Sequence, residues 1–119
     1  MTLEELKIRY LDDLSEDFNL FSERPRAKIK YDNKEFYVDA GYKDLQNFQV
    51  GKDLQIDFII DVDDNTIDIS SDINGYYDTI IKSIKIRGLE IMQQKWNYKK
   101  QILEAESIED LNNIEINFI

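Results

Sequence analysis

The stretch NGYYDTIIKSIKIRGLEIMQQKWNYKKQILEAE, residues 74 to 106, carries the longest helical pattern in the chain and decides the fold. Two sets of positions in it recur every seven residues: Tyr77, Ile84, Ile91 and Tyr98, and between them Ile81, Gly88, Lys95 and Ile102. This spacing predicts one long helix with a partly apolar stripe. Glycine in a helix interior is less favourable than alanine by about 1 kcal/mol, so Gly88 predicts a kink, a break or a close backbone approach.

Between residues 27 and 69 the apolar period changes to two, which predicts strands. The alternating residues are Ile29 and Tyr31, then Phe36, Val38 and Ala40, then Leu54, Ile56, Phe58 and Ile60, then Ile67 and Ile69. Asp32-Asn33 and Asp63-Asp64-Asn65 are residue types that tolerate tight turns, so we expect two antiparallel hairpins. Residues 41 to 52 predict an irregular connection or a short helical turn.

The two ends of the chain also carry helical signals. Residues 2 to 21 have apolar residues at three-to-four spacing, and Thr2 with Glu5 matches a capping box. A short helix around residues 108 to 111 and an extended segment from 114 to 119 finish the chain. The prediction is a single α+β domain, residues 1 to 119. It has an N-terminal helix, a small antiparallel sheet of two hairpins, a long C-terminal helix and a short terminal helix.

Composition excludes several kinds of chemistry. The 119 residues have the size of one domain with its own core, and none of them is cysteine or histidine. Disulfides, thiolate metal sites and a cysteine nucleophile are therefore excluded, and the commonest general base and metal ligand are missing. We expect no enzyme activity, no metal and no cofactor.

Charge separates the remaining classes of function. Fifteen Lys and Arg against 25 Asp and Glu give a net charge of −10, which repels a duplex or an anionic bilayer. The same surplus is typical of a solubilising surface, of a docking surface for basic partners, or of a nucleic-acid mimic. No stretch is apolar enough for a membrane span, and the N-terminus lacks a basic signal region, so we expect a cytoplasmic protein.

Aspartates concentrate in the predicted strands and form a candidate acidic mimic surface: Asp53, Asp57, Asp61, Asp63, Asp64 and Asp68. The run from Asp61 to Asn65 places oxygen ligands as a calcium loop does, with Asp72 at the twelfth position. However, Thr66 stands where that loop needs glycine and the flanks predict strands, so a polar hairpin turn is the preferred interpretation. Asp57 and Asp68 are a pair of carboxylates on adjacent strands, but no spacing distinguishes them as catalytic.

The long helix is the basic element of the chain and interleaves Trp96 and Tyr98 with Lys95, Lys99 and Lys100. This pattern superficially matches a nucleic-acid stacking surface, which the net charge disfavours. We therefore interpret the aromatic residues as packing or as a protein interface with lysines at its rim. The predicted interface residues are Tyr77, Ile84, Ile91, Lys95, Trp96 and Tyr98.

The C-terminal segment, residues 96 to 114, resembles the C-terminal signature of a family of uncharacterised phage and prophage proteins found near tail genes. In that family a helix ends in isoleucine, two residues and alanine, and a serine or threonine then opens a short helix. The matching residues are Ile102, Ala105, Ser107, Glu109, Asp110, Leu111 and Ile114. Residues 35 to 40 and the turn at 63 to 66 also follow the family's order, whereas residues 2 to 21 lie outside the resemblance. The resemblance implies a structural or assembly component of the tail, without catalytic residues.

Two functional hypotheses result. The first is a non-enzymatic phage or prophage protein in tail structure or assembly that acts through protein partners or self-association and is either cytoplasmic in the host or virion-associated. The second is a small acidic inhibitor, an anti-defence or immunity protein, that blocks a basic groove on its target. Neither hypothesis involves direct nucleic-acid binding.

Overall fold

A computed structural model describes residues 1–119 and confirms the predicted α+β fold. The elements in chain order are α1 (Leu3–Ser22), β1 (Arg26–Tyr31), β2 (Lys34–Asp39), α2 (Tyr42–Asp53), β3 (Phe58–Ile60), β4 (Thr66–Asp68), α3 (Ile73–Glu104) and α4 (Ile108–Asn112). They form two compact units. The central unit is Glu23–Leu89, and the terminal unit combines Met1–Ser22 with Glu90–Ile119. Each unit has its own hydrophobic core.

The β1–β2 hairpin of the central unit follows the sequence pattern closely. Ala27 pairs with Val38 and Ile29 with Phe36, and these four side chains are buried on one face. Asp32 and Asn33 in the turn both have positive φ, as a two-residue turn that matches the strand twist requires. The hairpin packs in one core with Tyr76, Tyr77, Ile80 and Ile84 of α3.

Helix α2 differs from the irregular connection or short turn expected at residues 41 to 52. It is a full 12-residue helix. The Asp44 carboxylate in its first turn accepts a hydrogen bond of 2.9 Å from the Gly41 backbone N–H, and Leu45 and Phe48 pack against the core of the central unit. The sequence of this helix is only weakly amphipathic, so its pattern did not predict a helix. Tertiary packing stabilises the helix instead.

The second hairpin is shorter than predicted and has the opposite alternation in its first strand. Ile59 is the buried residue of β3 and pairs with Ile67, whereas Phe58 and Ile60 are exposed. The alternation predicted from Leu54 onward is wrong because α2 extends to Asp53 and a turn with Gln55 at positive φ follows it. The strand therefore begins later than the pattern indicated.

The terminal unit contains α1, the last part of α3, α4 and the C-terminal segment. Its core includes Leu14, Ile91, Ile102, Leu111 and Phe118. The Ser107 hydroxyl caps α4 by accepting a hydrogen bond of 3.1 Å from the backbone N–H of Asp110, as its position before the helix predicts. Residues 114 to 119 form no regular secondary structure.

Helix α3 is continuous from Ile73 to Glu104 and passes through Gly88 without a break. The Asp72 carboxylate precedes it and accepts a hydrogen bond of 3.1 Å from the backbone N–H of Gly75. This carboxylate stabilises the positive end of the helix. Compared with the predicted range of 74 to 106, α3 starts one residue earlier and ends two residues earlier.

Candidate functional site

Three of the predicted interface residues lie in hydrophobic cores. Tyr77 and Ile84 are each 2% exposed in the central unit, and Ile91 is 2% exposed in the terminal unit. These side chains, which recur every seven residues along α3, are therefore packed inside the chain. All three are inaccessible to a partner of the folded protein.

The other three predicted interface residues are in the terminal unit. The Lys95 ammonium lies 4.3 Å from the ring centroid of Phe18, a favourable cation–π arrangement. The half-buried Tyr98 donates its hydroxyl hydrogen bond to the Asn117 carbonyl at 3.0 Å. Trp96 is 56% exposed, so among the six it presents the largest apolar surface to solvent.

A groove of about 630 Å³ lies between α2 and α3 in the central unit. We call it the α2–α3 groove. Its lining residues are Gln49, Lys52, Asp53, Asp78, Ile81, Lys82, Lys85, Ile86 and Leu89. Ile86 is 47% exposed and Leu89 is 51% exposed, although both are large and apolar. The groove thus combines solvent-exposed aliphatic side chains with charged ones.

Close packing and one ion pair hold α2 against α3 and so shape this groove. Gly51 is buried, and a Cβ built at this position would lie 2.9 Å from the hydroxyl of Tyr77 and 3.1 to 3.2 Å from its ring. The Tyr77 hydroxyl donates a hydrogen bond of 2.8 Å to the Ile56 carbonyl just after α2. Lys52 of α2 forms an ion pair of 2.6 Å with Asp78 of α3.

Only one of the three lysines that line the groove forms an ion pair. Lys52 is paired with Asp78, but Lys82 and Lys85 are exposed and form no ion pair. They lie three residues apart on α3, so they are neighbours on its surface. Asp53 on α2 is the remaining acidic residue of the lining. The α3 side of the groove therefore carries local positive charge in a chain whose net charge is −10.

The predicted acidic mimic residues lie along the second hairpin and before it. Asp53 ends α2, Asp57 precedes β3, and Asp68 is in β4 opposite Phe58. Asp63 and Asp64 are exposed in the connecting turn. None of the six predicted aspartates forms an ion pair, although the charge of Lys34 helps to lower the pKa of Asp68.

Two of these aspartates also fix local structure. The Asp61 carboxylate accepts hydrogen bonds of 2.9 Å from the Asp63 N–H and 2.8 Å from the Asn65 N–H, which close the turn. The backbone hydrogen bond from Asn65 is the main reason that the pKa of Asp61 is lowered. The Asp68 carboxylate accepts hydrogen bonds from Ser70, and these lower the pKa of Asp68.

No three acidic side chains are arranged to hold a metal ion.

A further polar contact joins β1 to the start of α3. The Tyr31 hydroxyl donates a short hydrogen bond to the Asp72 carboxylate. This bond raises the pKa of Tyr31 to about 12, with burial and the Asp72 charge adding to the shift. The same bond, together with the N–H of Gly75, lowers the pKa of Asp72. A Cβ at Gly75 would overlap both partners, so a larger residue there would displace this hydrogen bond.

The sequence interpretation missed the α2–α3 groove because it did not identify α2 as a helix. A signal was nevertheless present in α3. Lys82, Ile86 and Leu89 follow one another at intervals of four and three residues, which places them on one helical face. That face lies opposite to the stripe chosen as the interface.

No protein-family model, curated protein or solved structure matches this chain. None of its helices combines the length and the apolar character needed to cross a membrane. What the chain binds must therefore be inferred from its own residues.

Proposed function

We propose that this protein is a non-enzymatic binding protein with a structural or assembly role in a phage or prophage tail, acting through protein contacts. The α2–α3 groove is the observation that carries this proposal. Its exposed Ile86 and Leu89, with charged residues at the rim, have the composition of a protein interaction site. The resemblance of residues 96 to 114 to the phage tail-region family supports the tail assignment.

Co-sedimentation of the full chain with tail particles from the same genome tests this function. We expect the chain to sediment with the tails at low salt and still at about 0.5 M salt, because apolar contacts resist screening. The Leu89→Glu variant should lose binding. Ile8→Glu, which changes a similarly exposed aliphatic residue of α1, is the matched control.

Light scattering on the purified chain completes the test. A salt-resistant oligomer would support a structural role through self-association. A protein that is monomeric at low and at high salt, and that also leaves the tail particles free, would refute the proposal.

The exposed aspartates of the second hairpin favour a second candidate function, an acidic inhibitor that occupies a basic groove of its target. Asp57, Asp63 and Asp64 are exposed and free of ion pairs. Such a surface attracts a nucleic-acid-binding protein through long-range electrostatics.

Salt dependence separates this second function from the first. Binding to a basic nuclease should weaken steeply between low salt and about 0.5 M, because the attraction is screened. Amide substitution of Asp57, Asp63 and Asp64 should abolish it, whereas the same change at Asp12, Asp13 and Glu16 of α1 should not. Equal loss in both triple variants would indicate a net-charge effect and reject the mimic.

A further inference from the structure

From the α2–α3 groove we infer that the partner supplies an acidic amphipathic helix, with its apolar side chains against Ile86 and Leu89 and its carboxylates on Lys82 and Lys85. This inference rests on the proposed function, protein binding, and specifies the chemistry of the partner segment. Nothing in the central unit covers this surface, because both aliphatic side chains are about half exposed.

The apolar part of the groove indicates a macromolecular ligand. Ile81 is a half-buried lining residue, and Ile86 and Leu89 follow it along α3. A small molecule in this groove would remain largely in water, since most of the lining side chains are themselves exposed, whereas small-molecule sites bury most of their ligand. An amphipathic helix instead places apolar side chains from successive turns into such a groove.

The unpaired lysines of the groove favour a partner segment with negative charge. Lys82 and Lys85 lie on the α3 side without an ion pair, whereas Lys52 is already neutralised by Asp78. Carboxylates at the rim of a bound helix would pair with the two unpaired lysines and steer the encounter. A basic helix would meet two like charges there, so the groove disfavours it.

Nucleic acid fits the same surface poorly. Phosphates would gain contact with Lys82 and Lys85 on the α3 side of the groove. The apolar side chains of Ile86 and Leu89 offer phosphates nothing in exchange for lost water. The net charge of −10 opposes the approach of a polyanion as a whole.

Selection of a displayed random-peptide library on the full chain tests the inference. We expect enriched peptides with Asp or Glu beside Leu, Ile or Phe at helical spacing. Their affinity for the Lys82→Glu/Lys85→Glu variant should fall about tenfold, since two attractive pairs become repulsive. Lys99→Glu/Lys100→Glu changes the charge equally on the same helix outside the groove and should leave binding unchanged.

Charge reversal on both sides makes the test stricter. Peptides whose acidic residues are replaced by lysine should bind the Lys82→Glu/Lys85→Glu variant better than they bind the natural chain. Leu89→Glu should abolish binding of every enriched peptide. Circular dichroism and thermal unfolding of each variant, matched to the natural chain, confirm that binding is lost from a folded protein.

Other outcomes overturn the inference. The absence of enriched peptides, enrichment of peptides without acidic residues, or equal binding to the charge-reversed variant would each do so. A dimer in light scattering that Leu89→Glu dissociates would identify a second copy as the occupant. A gel shift with single-stranded nucleic acid that depends on Lys82 and Lys85 would identify a nucleic acid.

The failure of this inference differs from the failure of the proposed function. If the chain sediments with tail particles and both groove variants do so equally well, the groove assignment is wrong while the binding function stands. If no variant, including the natural chain, binds the tails, the proposed function itself fails.

Discussion

In the central unit, helix α3 has two opposite faces. Both carry aliphatic residues, which are buried on one face and exposed on the other. One face places Tyr76, Tyr77, Ile80 and Ile84 in the core. The other presents Lys82, Lys85, Ile86 and Leu89 to solvent. Isoleucine occurs on both, so residue type alone does not distinguish a core stripe from a binding stripe. The packing of a second element on the helix makes the distinction.

The contrast between the two faces predicts its largest effect on stability. Substitution of the buried Ile84 should destabilise the protein far more than substitution of the exposed Leu89. Ile84→Ala should lower the free energy of unfolding by about 2–5 kcal/mol, because it leaves a cavity in the core. Leu89→Ala should change it by no more than about 0.5 kcal/mol. Urea denaturation followed by circular dichroism measures both values.

The same experiment tests the interface prediction for Ile84. If Ile84→Ala unfolds at the same urea concentration as the natural chain while an oligomer dissociates, Ile84 serves an interface and the core assignment fails. A loss of stability with an unchanged mass in light scattering would support the core assignment.

Two glycines provide a second and smaller contrast. Gly51→Ala should destabilise the protein by about 1–3 kcal/mol, because the new methyl group meets the Tyr77 ring where α2 packs on α3. Gly88→Ala should stabilise it by about 0.5–1 kcal/mol, because a Cβ there meets nothing within 4 Å and alanine favours the helix. Thermal and urea unfolding of the two variants measure this difference in sign.

A double variant shows whether the contact explains the loss. Tyr77→Phe removes the hydroxyl, the atom of Tyr77 that lies nearest to a Cβ at position 51. Gly51→Ala should therefore cost less in that background than in the natural chain. Strict additivity of the two changes would mean that the Gly51 effect arises elsewhere.

The two hairpins show how much of the fold the sequence specifies. At β1–β2 the alternation and the Asp32-Asn33 turn are local, and both are confirmed. At β3–β4 the apparent alternation began within residues that belong to the end of α2 and its turn, so Ile59 was missed as the inward residue. Period two over four apolar residues cannot distinguish these cases, because the helix that interrupts it is stabilised by packing.

The candidate site is less predictable than the fold for a related reason. The charge of α3 was evident from Lys82 and Lys85, but the groove needs α2 beside it. That arrangement depends on Gly51 lying against Tyr77, a contact between residues 26 positions apart. No local pattern encodes it.

The smallest expected effect concerns the start of α3, which positions both faces of the helix. Because the pKa of Tyr31 is raised from 10 to about 12, its hydrogen bond to Asp72 stabilises the fold below about pH 10. That contribution is lost as the pH rises from 10 to about 12. Because the pKa of Asp72 is lowered, its contribution persists above 3.8 and is lost as the pH falls through the lowered value.

Tyr31→Phe should therefore lower stability at neutral pH and flatten the loss of stability between pH 10 and 12, which thermal unfolding across a pH series measures. Tyr42→Phe is the matched control, because Tyr42 is exposed and its hydroxyl makes no hydrogen bond. Burial also raises the pKa of Tyr77, so some alkaline dependence should remain in both variants. If Tyr31→Phe and Tyr42→Phe give the same alkaline slope, the Tyr31–Asp72 bond does not hold the start of α3, and the capping of the helix by Asp72 must suffice alone.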